Sequence, residues 1–502
     1  MLRARSLLTA LGVVVALAGT ITACTNDSGS DSSPDTSSGT GTDPESDPFE
    51  WQEFGSDGRV ETGHLEVPID YDDPSQGTFD LFLARHLADP DQRIGSLLVN
   101  PGGPGYGGSD FAIQAEQIYG DDLLDRFDII GWDPRGTGLT EPAIDCVDNY
   151  DRYFAENDIT PETAAERQQL IDRAEEFAQA CIEGNADIIQ HIGTNDSARD
   201  MNAIREALGE DTISYFGFSY GSELGATWAT LFPHTVRAAV LDGAVDPDAD
   251  FIDSGLQQSV GFEQALATFL AQCSDDSSCA FHSAGDAEGA FDDLMQQLDA
   301  QPVPSDAGRP DVGLQVAING VAEAMYSDSR WGELAQALAD ARDGDGSGLL
   351  ALHDSYFARN ADGSYDDSLE AFQVIYCMDT FERLSVEEDD ATAADFIAAA
   401  PRISPGTTGS YFCTFFPETD EPRAEITGAG AGPILVMGTT GDASTPLEGT
   451  RAMADALEDG RLVIVEANQH TGYWVSDCSG STIDQYLIDP VANAPADGTE
   501  CT

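Results

Sequence analysis

The chain has 502 residues, of which 91 are acidic and 22 basic, giving a formal charge of −69. That length can bury more than one core, and a field this negative repels nucleic acid and anionic lipid, which argues against binding either. No lysine occurs, so every basic side chain is an arginine, and the surplus of Asp and Glu reads as a solvated acidic coat.

In chain order, Arg3 and Arg5 precede an apolar run, Leu7 to Ala18, that is too short for a secure membrane span. It ends in Ile21-Thr22-Ala23-Cys24, which is similar to a bacterial lipobox. Residues 1–23 are therefore expected to be a lipoprotein signal peptide, with a diacylglyceryl group on the Cys24 sulfur after cleavage. Residues 24–48 are rich in Ser, Gly, Thr, Asp and Pro and almost free of apolar side chains, the composition of a flexible tether. The expectation is an exported protein that meets the outer face of the cell membrane only through that lipid.

Residues 49–246 open with antiparallel strand signals at Gly63–Ile69 and Thr78–Leu87 around the turn Asp70-Tyr71-Asp72-Asp73-Pro74. Buried strands follow at Gly95–Val99 and Phe127–Trp132, helices at Glu162–Glu183 and Ser197–Leu208, and further strands at Thr212–Phe216 and Arg237–Leu241. Short apolar strands alternating with helices predict a mostly parallel central sheet covered by helices on both faces. Residues 247–428 are Ala-, Leu- and Asp-rich helical sequence with little strand signal, which predicts an inserted helical cap. Residues 429–502 resume the sheet with Pro433–Met437, a helix near Thr450–Leu457, and Arg461–Val465.

After Cys24, the chain holds Cys146, Cys181, Cys273, Cys279, Cys377, Cys413, Cys478 and Cys501. An even number outside the cytoplasm points to disulfides. Sequence neighbours form the simplest set, Cys146–Cys181, Cys273–Cys279, Cys377–Cys413 and Cys478–Cys501, although spacing leaves other pairings open. No Cys-x-x-Cys with partnering histidines appears, so no metal is expected.

The stretch that carries chemistry is Gly217-Phe218-Ser219-Tyr220-Gly221, between a strand and a helix. Strand, Gly-x-Ser-x-Gly and helix make a nucleophile elbow, a sharp turn that lifts a serine hydroxyl clear of the sheet. A serine nucleophile needs a base and an orienting acid, here expected in the order Ser, Asp, His after late strands. Of the histidines after Ser219, His282 and His353 fall inside the cap, and His470 follows the last strand, so His470 is the candidate base. Asp442 follows strand Pro433–Met437 and is selected as the acid by position, since carboxylates abound in this chain. An oxyanion hole would use the Tyr220 N–H and an N–H of the loop Asn100-Pro101-Gly102-Gly103-Pro104-Gly105, with Gly103 as the candidate.

Asn100–Gly105, Gly131–Gly138, Gly217–Gly221, Leu241–Val245, Asp442–Pro446, Val67–Tyr71 and the closing Cys478…Cys501 segment together resemble the tripeptidyl aminopeptidase-like branch of the α/β-hydrolases, which is related to the proline iminopeptidases. The resemblance covers most of the chain after about residue 50, apart from the cap. It implies the α/β-hydrolase fold and a serine exopeptidase releasing short peptides or single residues from free N-termini, without a cofactor. By motif it carries the nucleophile to Ser219, the acid to Asp442, the base to His470 and the oxyanion loop to Gly103. Ser222-Glu223 departs from the family's commoner threonine after Ser-Tyr-Gly, and the cap does not align.

An aminopeptidase needs carboxylates for the substrate ammonium, because desolvating that charge unpaired is costly. Asp379 and Glu370 are candidates, against a preferred reading of both as solvated helix faces. The same triad also fits a carboxylesterase or lipase, and a non-catalytic binding lipoprotein could share the fold.

Overall fold

A computed structural model describes residues 47–502 apart from Asp57. The signal peptide, Cys24 and nearly all of the tether lie outside the described residues. Ten strands form one sheet: β1 (Gln52–Phe54), β2 (Val60–Pro68), β3 (Thr78–His86), β4 (Gly95–Asn100), β5 (Phe127–Trp132), β6 (Ile213–Phe218), β7 (Val236–Asp242), β8 (Ile434–Thr439), β9 (Gly460–Val465) and β10 (Thr499–Cys501). Their order is β1-β2-β3-β5-β4-β6-β7-β8-β9-β10. Pairing is antiparallel from β1 to β5 through β2 and β3, and parallel from β5 onward. Strands β5, β6 and β8 are buried at every position, as a sheet covered on both faces requires, whereas β2 alternates buried and exposed residues. The short β1 and β10 carry no run long enough to signal a strand, and they lie at the two edges of the sheet.

Between β7 and β8 the described chain is helical, from Phe251–Asp275 to Val386–Ala399, with only isolated bridges such as Val303 to Val312. This insertion has two parts. Leu266, Phe269, Phe291, Leu298, Val321, Leu338 and Leu352 pack into a core of their own. Helix Ser368–Met378 instead gives Val374, Ile375 and Met378 to the core of the sheet. It presses on the loop after β4, where a Cβ on Gly105 would stand 2.1 Å from the Ser368 carbonyl oxygen. Four disulfides join the sequence neighbours Cys146–Cys181, Cys273–Cys279, Cys377–Cys413 and Cys478–Cys501. Among the described residues, no helix is long and apolar enough to cross a membrane.

The segment Asp133–Gly138 after β5 knits the loops together. Asp133 accepts the N–H of Ser109 and of Leu139, both at 2.9 Å, fixing the far end of the loop after β4. Arg135 is wholly buried and pairs with the equally buried Asp200, donating from Nε at 2.8 Å and from Nη2 at 2.6 Å. Its Nη1 also donates to the carbonyls of Ile69 and His191, at 2.9 and 2.8 Å. Tyr71 completes the cluster by donating its hydroxyl to Asp200 at 2.8 Å. The Val67–Tyr71 and Gly131–Gly138 motifs thus meet at one buried ion pair, whose work is architectural.

Candidate active site

Ser219 stands between β6 and helix Tyr220–Leu231 with φ 55° and ψ −128°, a backbone that L-residues with side chains rarely adopt. Its N–H is tied to the Asp242 carbonyl at 2.8 Å. The turn is tight enough that a Cβ on Gly217 would stand 2.2 Å from the Gly221 oxygen, and one on Gly221 2.9 Å from the Asn100 oxygen. Both elbow glycines are therefore required sterically. Below the turn, buried Glu223 pairs with Arg423, and Ser222, where the family commonly has threonine, is buried beside it.

The loop after β4 lies directly against the elbow. A Cβ on Gly102 would stand 2.8 Å from Ser219 Cβ and 3.1 Å from Tyr220 N. Asn100 Oδ1 accepts the Gly102 N–H at 2.9 Å and holds the loop in place. Gly103 has φ 111°, a conformation that favours glycine. Among the described residues, neither the Gly103 nor the Tyr220 N–H has a protein acceptor.

Asp442 is buried in the loop after β8, and His470, partly buried, lies in the loop after β9. The Nδ1 of His470 lies 2.9 and 3.0 Å from the two Asp442 oxygens. Asp442 also accepts the N–H groups of Ser444 and Thr445 on Oδ1, at 3.0 and 2.8 Å, and that of Thr471 on Oδ2 at 3.2 Å. The Thr445 hydroxyl sits 3.2 Å from the same Nδ1. Burial opposes the imidazolium, but the Asp442 carboxylate outweighs it and raises the His470 pKa above its ordinary value. His470 Nε2 is buried and makes no hydrogen bond, so its bond to the Ser219 hydroxyl is not formed in this state. His470 is nonetheless close to the strand end that holds Ser219, since a Cβ on Gly243, next to Asp242, would stand 3.1 Å from His470 Cε1.

Asp242, at the end of β7, is a functional position that residue-type reasoning missed. Its carbonyl holds Ser219, while its carboxylate accepts the N–H groups of Gly472 and Tyr473 at 2.7 and 2.9 Å. One residue thus braces Ser219 and the loop that carries His470. Burial pushes its carboxyl up to about 7 despite those two donors. The signal available was its place, the last residue of a buried strand followed by Gly243.

The cap candidates sit elsewhere than expected. Neither lies on a solvated helix face. Glu370 is buried and its two oxygens accept the N–H groups of Cys146 and Val147, at 2.5 and 3.0 Å. It fastens helix Ser368–Met378 to the disulfide-bearing loop after β5, and burial pushes its carboxyl up to about 8. Asp145, Asp367 and Glu370 gather within 4.8 Å, an acidic cluster whose one buried member is already occupied by backbone donors. Asp379 accepts from the N–H and the hydroxyl of Thr194, at 2.7 and 2.6 Å, and that hydroxyl meets Tyr220 Oη. Burial pushes Asp379 up to about 7. The other late histidines stay in the cap. His282 Nδ1 lies 3.0 Å from the Cys273 carbonyl, and burial pushes His353 down to about 4.

The family profile described as the alpha/beta hydrolase fold matches residues 95–283, and the one described as TAP-like protein matches residues 404–501. The serine protease Hip1 of Mycobacterium tuberculosis is 34% identical over 464 residues, covering 88% of this chain and 86% of that protein. Carboxylesterase B of the same organism is 32% identical over 451 residues, covering 85% and 83%. The tripeptidyl aminopeptidase of Streptomyces lividans is 29% identical over 459 residues, covering 88% and 84%. The strand order, the serine elbow and these similarities agree: the chain belongs to the TAP-like branch of the α/β-hydrolase family and is a serine hydrolase.

Proposed function

We propose that this serine hydrolase is an exported, lipid-anchored exopeptidase that removes short peptides or single residues from free N-termini. The observation that carries the chemistry is the His470 imidazole, clamped through Nδ1 by Asp442 while its buried Nε2 is left without a partner. In that mechanism His470 takes the Ser219 proton as the oxygen attacks the scissile carbonyl. The oxyanion rests on the N–H groups of Gly103 and Tyr220, and Asp442 stabilises the imidazolium. His470 then gives its proton to the leaving amine, and water resolves the acyl-enzyme by the same steps in reverse order. The names serine protease and tripeptidyl aminopeptidase, borne by relatives, support a peptide substrate. The relative named carboxylesterase B keeps an esterase as the second reading.

For the substrate ammonium, Glu323 fits better than Asp379 or Glu370, whose oxygens serve their own chain. One Glu323 oxygen is held by Arg330 and by the Ser355 hydroxyl, the latter at 2.7 Å, and the other has no partner among the described residues. Arg330 is shared with Glu333 at 3.2 Å, so the group retains a net negative charge. Glu323 lies on helix Leu314–Met325, three residues before Tyr326, whose ring packs on His470. A panel of free-amine peptides, N-acetylated peptides and short acyl esters tests both statements. Free-amine peptides are expected to be cleaved best, and Glu323→Gln to lower kcat/KM on them by about 10- to 100-fold while sparing blocked substrates and esters. Hydrolysis of esters alone would sink the peptidase reading, and equal losses on free and blocked peptides would sink the role of Glu323.

The anchor rests on the Ile21–Cys24 motif and the tether that follows. The native protein is expected to enter the detergent phase in a Triton X-114 partition, and the Cys24→Ala variant the aqueous phase. Native protein in the aqueous phase would remove the anchor from the proposal.

A further inference from the structure

The cap reaches the base directly. Just after helix Leu314–Met325, residues 326–328 run beside residues 468–470. The Tyr326 carbonyl accepts the His470 N–H at 2.8 Å, Ser327 bridges Gln469 in antiparallel sense, and the Asp328 N–H donates to the Asn468 carbonyl at 3.0 Å. The Tyr326 ring then meets the His470 imidazole edge to face, with centroids 5.5 Å apart and planes at 78°. It also meets Phe262 of helix Phe251–Asp275, at 5.6 Å, so the ring is itself held by the cap.

From this contact we infer that Tyr326 is a positioning residue for the base, and that His470 is competent only while the cap is docked. Asp442 fixes Nδ1 but leaves the imidazole free to rock about that hydrogen bond. A ring set nearly perpendicular against it limits the rocking and so fixes the direction of Nε2. The strand-like pairing does the same for the backbone, because the loop of the base has residues 326–328 as its partner on one side and Asp242, through Gly472 and Tyr473, on the other. The cap therefore cannot swing open as a free lid without withdrawing support from His470. The inference rests on Ser219 being the nucleophile, and its test separates the two.

Phosphonylation by a fluorophosphonate and turnover of p-nitrophenyl butyrate are measured for the native protein and for Tyr326→Leu, Tyr326→Phe and Asp328→Pro. Leucine removes the ring; phenylalanine keeps it and loses only the hydroxyl, whose contact with the Ser444 hydroxyl is long at 3.5 Å. Proline removes the N–H that reaches Asn468, at a position where it is locally tolerated. Asp328 opens a short 3-10 helix, and Ser327 before it is extended at φ −157° and ψ 136°.

Tyr326→Leu is expected to slow phosphonylation and kcat together by about 10- to 100-fold, the scale of a misplaced catalytic group, with KM within about threefold of the native value. Tyr326→Phe should stay within about twofold of native on both measures, and Asp328→Pro should shift them in the same direction as Tyr326→Leu. The inference is overturned if Tyr326→Leu and Asp328→Pro label at the native rate, if the loss falls on KM alone, or if Tyr326→Phe is as slow as Tyr326→Leu. A native protein that fails to label at all overturns the nucleophile and this inference with it.

Discussion

Ser219→Ala is expected to lower kcat by about four to six orders of magnitude, and His470→Ala by a similar factor, because the three residues act as a unit. The triple variant Ser219→Ala, Asp442→Asn, His470→Ala should then be no slower than Ser219→Ala alone. Asp442→Asn is expected to cost about 10⁴-fold through the tautomer it imposes. Both Asp442 oxygens accept donors, Ser444 and Thr445 on one side and Thr471 on the other, with His470 between them. An amide must turn its NH₂ toward one of those sets. If it faces His470, the imidazole must present a lone pair at Nδ1 and carry its proton on Nε2, where it can no longer act as a base. Steady-state kinetics on the best substrate of the panel, together with active-site labelling, reads these losses. Labelling that survives Ser219→Ala would remove that residue from the mechanism.

Arg135→Met is expected to destabilise the protein by about 3–5 kcal/mol without touching the reacting groups. The substitution leaves the Asp200 carboxylate buried without its two guanidinium donors and with the Tyr71 hydroxyl alone donating to it, and it deprives the carbonyls of Ile69 and His191 of theirs. Most of the loss belongs to the stranded charge. The double variant Arg135→Met, Asp200→Leu should therefore recover much of it, since an apolar pair of similar volume can replace a buried ion pair at little cost. Urea unfolding followed by tryptophan fluorescence measures the difference, Trp132 and Trp228 both being buried. A midpoint equal to that of the native protein for Arg135→Met would contradict the role assigned to the cluster.

How much of this could be read in advance follows from the range of each interaction. The elbow, the loop after β4, Asp442 and His470 stand at the ends of buried strands, and a strand end followed by Gly or Pro is a local signal. Phe127–Trp132 has the expected bounds, and the other core strands lie within a few residues of theirs. The elbow helix starts at Tyr220, because the turn leads into it without a linker. Strands β1 and β10 are short edge strands whose existence depends on the neighbours they pair with. The cap was the least legible part. Its helices have apolar faces, but nothing in sequence says which face meets the sheet, so Glu370 and Asp379 looked solvated and Tyr326 gave no sign of touching His470. Arg135 and Asp200 are 65 residues apart, and their union is visible only once the chain is folded.

The backbone of residue 219 sets folding against chemistry. At φ 55° and ψ −128° a glycine would rest with less strain than any residue bearing a Cβ. Stability alone would therefore favour deleting the side chain that the reaction requires. Ser219 is held in place by its surroundings, through the Asp242 carbonyl and the glycines on either side, and not by its own conformational preference. A chain relieved of its catalytic duty would gain by losing this serine first, and heat resistance selected without regard to turnover would drift toward an inert protein of the same shape.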